Sequence, residues 1–254
     1  MCIIALSYRQ HPAYPLLVAA NRDEFFSRPT APADWWPDAP DILGGRDLQA
    51  GGSWLAMSRS GRVAALTNFR DPANLKPQSP SRGELGAGFL RSGQAAPAYA
   101  ASLLPRLADY NGFNLLLFDG VQLVYLSSTE QRADILPAGL YVVSNHLLDT
   151  PWPKVGKLKQ GLAAHLADCA LDEATLFALL ADRDIPPDTC LPDTGIGLEW
   201  ERRLASIFVS APGYGTRAST LLRLQRQQVE FIERSFADDG QKQQRRFNFA
   251  LSGV

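Results

Sequence analysis

The chain has 254 residues, 46% hydrophobic, 9% aromatic and 20% charged, with a mean hydropathy of -0.12; this is the balance of an ordinary folded chain, excludes disorder, and suggests one domain over 1–254. A formal net charge of -1 offers no field to attract nucleic acid or an anionic membrane surface, and no apolar run approaches the roughly 20 residues of a membrane helix, so neither nucleic acid nor stable membrane insertion is expected. Arg9 and His11 interrupt the apolar start before a secretion signal can form, and the three cysteines, Cys2, Cys169 and Cys190, have neither metal spacing nor a paired framework, so the expected setting is reducing and cytoplasmic.

In chain order, Cys2 to Tyr8 and Tyr14 to Ala20 are apolar runs around a polar, proline-containing turn, the pattern of a hairpin. Ala31 to Pro40, rich in Pro, Asp and Trp, reads as irregular. Trp54 to Ser58 and Val63 to Phe69 read as strands joined at Arg59-Ser60-Gly61, and apolar spacings of three and four predict helices over Arg82 to Arg91 and Pro97 to Leu107. The stretch GFNLLLFDGVQLVYLSS predicts a hairpin, with Asp119-Gly120 as the pair a type I′ turn demands. A strand over Gly139 to Ser144, helices from Lys154 and over Asp172 to Ala181, and a proline-rich loop over Ile185 to Thr194 follow. Strands are then expected over Ala205 to Ser210, Ala218 to Gln225, Gln228 to Ser235 and Arg246 to Leu251. Strands early, helices in the middle and strands late suit sheets stacked between helix layers.

Chemistry points first to Cys2. Processing enzymes remove an initiator methionine when the next residue is small, and cysteine qualifies. The chain would then begin with a residue carrying both a thiol and an α-amine of ordinary pKa near 8, so nucleophile and base would share one residue. Cysteine also packs commonly as a small buried hydrophobe. The quartet Asn21-Arg22-Asp23-Glu24 ends the second strand, and the hairpin returns it to the start of the first, beside Cys2. A guanidinium there would lower the thiol pKa, and a carboxylate could accept from the α-amine. Asn68 and Asn145, each closing a predicted strand, are candidate oxyanion donors as well as ordinary turn residues, and Arg217 sits in a glycine-rich turn. Phe25, Phe26, Trp35 and Trp36 form an aromatic group that could pack or flank an apolar ligand. His11, His146 and His165 lack metal spacing, so no metal is expected, and the glycine-dense GGRDLQAGGSW matches neither a phosphate loop nor a dinucleotide turn.

Seven stretches in order, MCII, LVAANRDEFFSRPT, GGSWLAMSRSGRVAALTNFRDP, SRGELGAGFL, YNGFNLLL, YVVSNHLLDTPWPKV and PGYGTRASTLL, resemble the NRDE family, also called the transport and Golgi organisation protein 2 family. The family is similar to N-terminal nucleophile hydrolases, which implies an α+β fold, a four-layer αββα sandwich, with a nucleophile on the first strand and amide or acyl (thioester) chemistry. The resemblance implies Cys2 as nucleophile, Arg22 and Asp23 as its electrostatic partners, Asn68 and Asn145 as oxyanion donors and Arg217 as a site arginine, with Asn21, Glu24, Phe25, Trp35 and Trp36 around the ligand. In the choloylglycine-hydrolase-like group the early arginine and aspartate are two residues apart. Here Arg22 and Asp23 are adjacent and should alternate across a strand, unless a bulge restores the geometry or Glu24 takes the part. The family's eukaryotic members are linked to haem trafficking and to acyl-CoA or lipid homeostasis, so the alternative is a carrier in which haem is a cargo and not a required cofactor. Its iron ligands would have to come from His146, Met57, Cys2 or a tyrosine, none in a haem motif.

Overall fold

The computed structural model describes residues 2–167, 172–240 and 242–252; Met1 and Cys169 lie outside them. Two seven-stranded antiparallel sheets stack face to face and each carries helices on its outer side, the four-layer αββα sandwich expected from the sequence. The first sheet contains β1 (Cys2–Tyr8), β2 (Leu16–Phe25), β10 (Gly139–Val143), the short β11 (Ser210–Ala211), β12 (Tyr214–Leu224), β13 (Gln228–Phe236) and β14 (Lys242–Ala250). Its order is β10-β1-β2-β12-β13-β14, with β11 paired to β12. The second sheet runs in chain order: β3 (Thr30–Trp36), β4 (Ala39–Asp47), β5 (Leu55–Ser58), β6 (Val63–Asn68), β7 (Phe113–Phe118), β8 (Leu123–Ser127) and β9 (Arg132–Leu136).

Strand alternation assigns side chains to layers. On β1 and β2, Ile4, Leu6, Tyr8, Leu16, Val18 and Ala20 enter the core between the sheets, where they meet Leu43, Leu55, Met57, Leu116 and Phe118. Their neighbours Ile3, Ala5, Leu17 and Ala19 face the other way, onto α3 (Pro153–Ala167) and α4 (Glu173–Leu180). Both faces of these strands are therefore apolar, which explains why the sequence shows unbroken apolar runs. On the far side of the second sheet, α1 (Gly83–Ser92) and α2 (Ala96–Leu103) cover Ala64, Leu66, Leu115 and Leu117. Among the described residues no helix is long and apolar enough to cross a membrane.

Four local expectations are corrected. Ala31 to Pro40 is not irregular: it holds most of β3 and the start of β4, and the register shifts between Ala31 and Asp34, where Pro32 sits on the edge strand of its sheet. Ala205 to Ser210 makes only the last residue of a strand. The rest bends without joining a ladder, its groups taken instead by Asp182 O, Thr216 and Asn21, and it is preceded by a short helix, α5 (Leu198–Arg203). At Asp119-Gly120 only Gly120 has a positive φ, +97°, so the hairpin closes without the two successive left-handed residues of a type I′ turn. Pro97 to Leu107 divides into α2 and a 3-10 turn over Leu104–Asp109 that begins where Pro105 cannot continue the α-helical hydrogen bonds.

The quartet Asn21 to Glu24 continues β2 and is not a turn after it. Asn21 is fully buried; its Nδ2 donates to Leu180 O at 2.8 Å and Ile207 O at 2.9 Å, and its Oδ1 accepts from Ser219 Oγ at 2.6 Å. It fastens the helix layer to the sheet. Asn21→Ala should lower stability by about 3 kcal/mol, since two carbonyls and a hydroxyl lose buried partners; the midpoint of urea unfolding checks this, and an unchanged midpoint would refute the structural role.

Candidate functional site

The pairing of β1 with β2 sets Cys2 directly opposite Arg22 and Ile3 opposite Asn21. Residues opposed in an antiparallel pair share a face, so the thiol and the guanidinium both point between the sheets. They meet at the end of a cleft of roughly 590 Å³, whose lining also includes Asp23, Glu24, Phe25, Trp54 and Asn68. Arg22 is held there by donating from its Nη1 to Thr30 Oγ1 at 3.1 Å, and its Nη2 lies 3.8 Å from Glu24 Oε2.

Asp23 turns to the other face of β2. Its Oδ1 accepts from Thr216 Oγ1 at 2.7 Å and its main-chain carbonyl from Tyr214 OH at 3.2 Å. A bulge does occur here, but in the partner strand: β12 shifts register between Thr216 and Ala218, leaving Arg217 as the extra residue. Arg22 and Asp23 thus stay on opposite faces. Arg217 does not line the cleft of Cys2. Its Nη1 donates to the carbonyls of Phe25, Phe26 and Arg28 at 2.9–3.3 Å, so it clamps the turn that follows β2.

The two asparagines come together beside Cys2 and join the two sheets. Asn145 Nδ2 donates to Asn68 O at 3.0 Å, and Arg70 N donates to Asn145 O at 2.8 Å. Next to them Ser144 Oγ donates to Cys2 O at 3.0 Å, fixing the backbone of the first strand. The side chain of Asn68 lines the cleft, whereas that of Asn145 is wholly buried behind it.

Trp35 and Trp36 form no common pocket with Phe25, contrary to the sequence expectation. Phe25 stands half exposed at the cleft, edge-on to Tyr214. Trp35 packs edge-on against Phe247 and Phe249 under the guanidinium of Arg59, and Trp36, on the outer face of its sheet, donates from Nε1 to Gly44 O. The alternation along β3 sends the two indoles apart. Trp54 is the indole at the cleft. The two candidate haem ligands away from Cys2 lie elsewhere: Met57 is sealed in the inter-sheet core, and His146 stacks between Phe69 and Trp152 with Nδ1 at 2.9 Å from Thr150 Oγ1.

Sequence reasoning missed the cations of the cleft. Arg28, Arg46 and Arg82 join Arg22 in its wall, four guanidiniums against the carboxylates of Glu24 and Asp47. Arg28 pairs with Asp47 at 2.7 Å, and Arg46 forks onto Asp38. Arg82 donates to Gly112 O at 3.0 Å, and burial holds its pKa below the usual arginine value. Such a lining suits an anionic group. Arg28 and Arg82 stand inside SRP and SRGELG, stretches that carried the family resemblance, but no spacing rule marked them as site residues. The glycines of GGSW have a mechanical reason. A Cβ at Gly52 would lie 2.4 Å from the backbone of Gly83, so β4–β5 and the start of α1 touch there, main chain to main chain.

Burial sets the acid–base character. The Cys2 thiol is pushed up to about 11, chiefly by desolvation with Asp23 adding, while the positive charge of the chain's N-terminus and then Arg22 recover only part of this. Arg22 does lower the thiol pKa, as the sequence predicts, but burial outweighs it and the net shift is upward. Asp23 is likewise raised by burial, with Lys154 and Arg22 pulling it back. Lys154, buried on α3 and donating to Leu204 O at 2.9 Å, is lowered to about 8 by desolvation.

Two outcomes follow. In chains that retain Met1, iodoacetamide should label exposed Cys190 before Cys2 at pH 8, and the Cys2 rate should climb toward pH 11 in peptide-resolved mass spectra; a Cys2 midpoint below pH 9 would contradict the burial effect. For Lys154 the folded state binds its proton less tightly than the unfolded chain, so stability rises as pH climbs from about 8 to the ordinary value of 10.5. Lys154→Met removes this slope, and the unfolding free energy of the wild type relative to the variant should increase across that window.

Comparison with known proteins agrees with this geometry. The chain is 38% identical over 260 residues to the human Transport and Golgi organization protein 2 homolog, covering 94% of each, and 27% identical to the Drosophila melanogaster Transport and Golgi organization protein 2, covering 92% of this chain and 91% of that one. Among solved structures, a mutant conjugated bile acid hydrolase from Clostridium perfringens superposes over 100% of this chain and 97% of its own with a TM-score of 0.54 at 9% identity, a likeness of fold. The model of the Transport and Golgi organisation 2 family matches residues 1–238, and the chain belongs to that family.

Proposed function

We propose that this protein acts as a cysteine N-terminal nucleophile amidohydrolase on an amide or thioester bond of a small anionic molecule, in a reducing cytoplasmic setting. One observation carries the reading: Cys2 opens the central strand and stands opposite Arg22 at the end of a cleft lined by cations. Loss of Met1 would free the α-amine of Cys2. The amine then takes the thiol proton, the sulfur adds to the substrate carbonyl, and the tetrahedral oxyanion collapses to an acyl-enzyme as the amine or thiol leaves with that proton. Water, deprotonated by the same α-amine, releases the acid and restores the thiol. Arg22 favours the thiolate and the oxyanion, and Asn68, on the cleft wall, is the amide in reach of the latter. Ser144 and the asparagine pair keep the strand end from moving, which positions the sulfur.

A second reading is favoured by the same desolvation that raises the thiol: the cleft holds an acyl or haem cargo through its arginines, and the sulfur does no chemistry. Intact mass separates the two readings. The hydrolase reading expects purified protein to lack Met1, to gain an acyl adduct at Cys2 from a panel of acyl thioesters and amides, and to lose at least about a thousandfold in kcat/KM on Cys2→Ala. Retention of Met1, or turnover undiminished in Cys2→Ala, would reject it. The carrier reading expects a Soret shift with haemin, or saturable acyl-CoA binding, that survives Cys2→Ala and falls with Arg82→Gln.

A further inference from the structure

A second chamber of roughly 340 Å³ opens on the other side of Arg22, and it shares Arg22, Thr30, Gly45 and Trp54 with the cleft of Cys2. We propose that this chamber is a second subsite, which seats the neutral, hydroxyl-bearing end of a ligand whose carbonyl or carboxylate lies at Arg22, and that Glu233 selects that end. The proposal extends the reading of the Cys2 cleft as the ligand site, and adds the substrate class.

Glu233, on β13, is 2% exposed, yet its two carboxyl oxygens differ. Oε1 accepts from Ala33 N at 2.7 Å and from Ser235 Oγ at 3.2 Å. Oε2 has no donor among the described residues. It lies 3.4 Å from where a Cβ on Gly45 would stand, and Gly45 lines the chamber. Oε2 is not sealed from solvent: it opens onto the chamber as an acceptor that a ligand can take over from water. Among the described residues Glu233 is the only carboxylate in the chamber lining, which also holds the cations Arg22, Arg217 and Lys242. At Oε2 an ammonium would meet three positive charges and an anion would meet the Glu233 carboxylate, so a neutral donor is the partner that suits it. A hydroxyl fits best, because it donates to a carboxylate and accepts from a carboxylic acid and so suits either state of a group whose pKa burial pushes up. Trp54, Pro32, Ala218 and Phe236 give the connecting chain an apolar wall. The ligand is therefore an ω-hydroxyacyl chain of modest length, spanning from Arg22 to Glu233.

The probes are 6-hydroxyhexanoate and hexanoate, titrated by calorimetry or ligand-observed NMR into the full chain and into Cys2→Ala. The expected result is a preference of about fivefold or more for the hydroxy acid, the effect of one net hydrogen bond. Glu233→Gln, which keeps an acceptor, should retain most of the preference and Glu233→Leu should erase it. Gly45→Val, at a backbone without a positive φ and with the nearest atoms 3.4 Å from its new Cβ, should weaken the hydroxy acid by filling the passage, even if Glu233→Leu fails to fold. Equal or tighter binding of hexanoate, binding of neither acid, or a preference that survives both Glu233→Leu and Gly45→Val overturns the subsite. Because binding is read without turnover, a preference present in Cys2→Ala beside an inactive wild type upholds the subsite and removes the hydrolase reading, and the converse pattern does the opposite.

Discussion

The antiparallel register between the first two strands governs everything at the site. It is fixed by two apolar faces: slipping the pair by one residue would turn Ile4, Leu6, Val18 and Ala20 out of the inter-sheet core and send Ile3, Ala5, Leu17 and Ala19 in their place. Both sets are apolar and buried, but by the same alternation the slip also exchanges Arg22 with Asn21 and Asp23, carrying a guanidinium into the helix layer. The cost of that exchange holds the sulfur opposite the arginine. Chemistry at the open end of the strands is thus positioned by hydrocarbon packing along their length, and the hydrogen bond from Ser144 completes it.

The polar quartet at the end of β2 divides its labour by the same alternation. Asn21 serves cohesion and Arg22 the cleft. Asp23 serves the buried polar layer around Thr216 and Lys154, and Glu24 the rim, where it lies between Arg22 and Arg28. Adjacent residues on a strand cannot share one function, and four consecutive polar side chains therefore supply four environments. Desolvation dominates at Asp23 and at Cys2, which is why a nearby arginine does not make the thiol acidic.

Much of the fold was legible because its strands and helices announce themselves by apolar period and by the turn residues between them. The hairpin of Cys2 to Ala20, the strands around Gly61, and the helices after Lys154 and Asp172 need only local pattern, and the structure adds that the Asp172 side chain caps its helix. The edge strand β3 was illegible because Pro32 is tolerated only where no ladder bond is owed, a fact of sheet order and not of composition. Strand β9 is short and largely exposed on the opposite edge, with too little apolar alternation to register. At the site, the meeting of Cys2 with Arg22 followed from hairpin arithmetic. The separation of Trp35 from Trp36, the clamp role of Arg217, and the convergence of Arg28, Arg46 and Arg82 depend on which face each strand presents to a partner distant in the chain, and no local rule contains that.

The contact of Gly52 with Gly83 bears on how such a cleft can diversify. Where two elements rest main chain on main chain, their spacing is a hard stop that no side chain can adjust. The bore of the channel is consequently decoupled from the residues that decorate it. Substitutions along its wall can retune charge and hydrogen bonding while the caliper stays shut at one setting, so new ligand chemistries can be tried on this scaffold without renegotiating its dimensions.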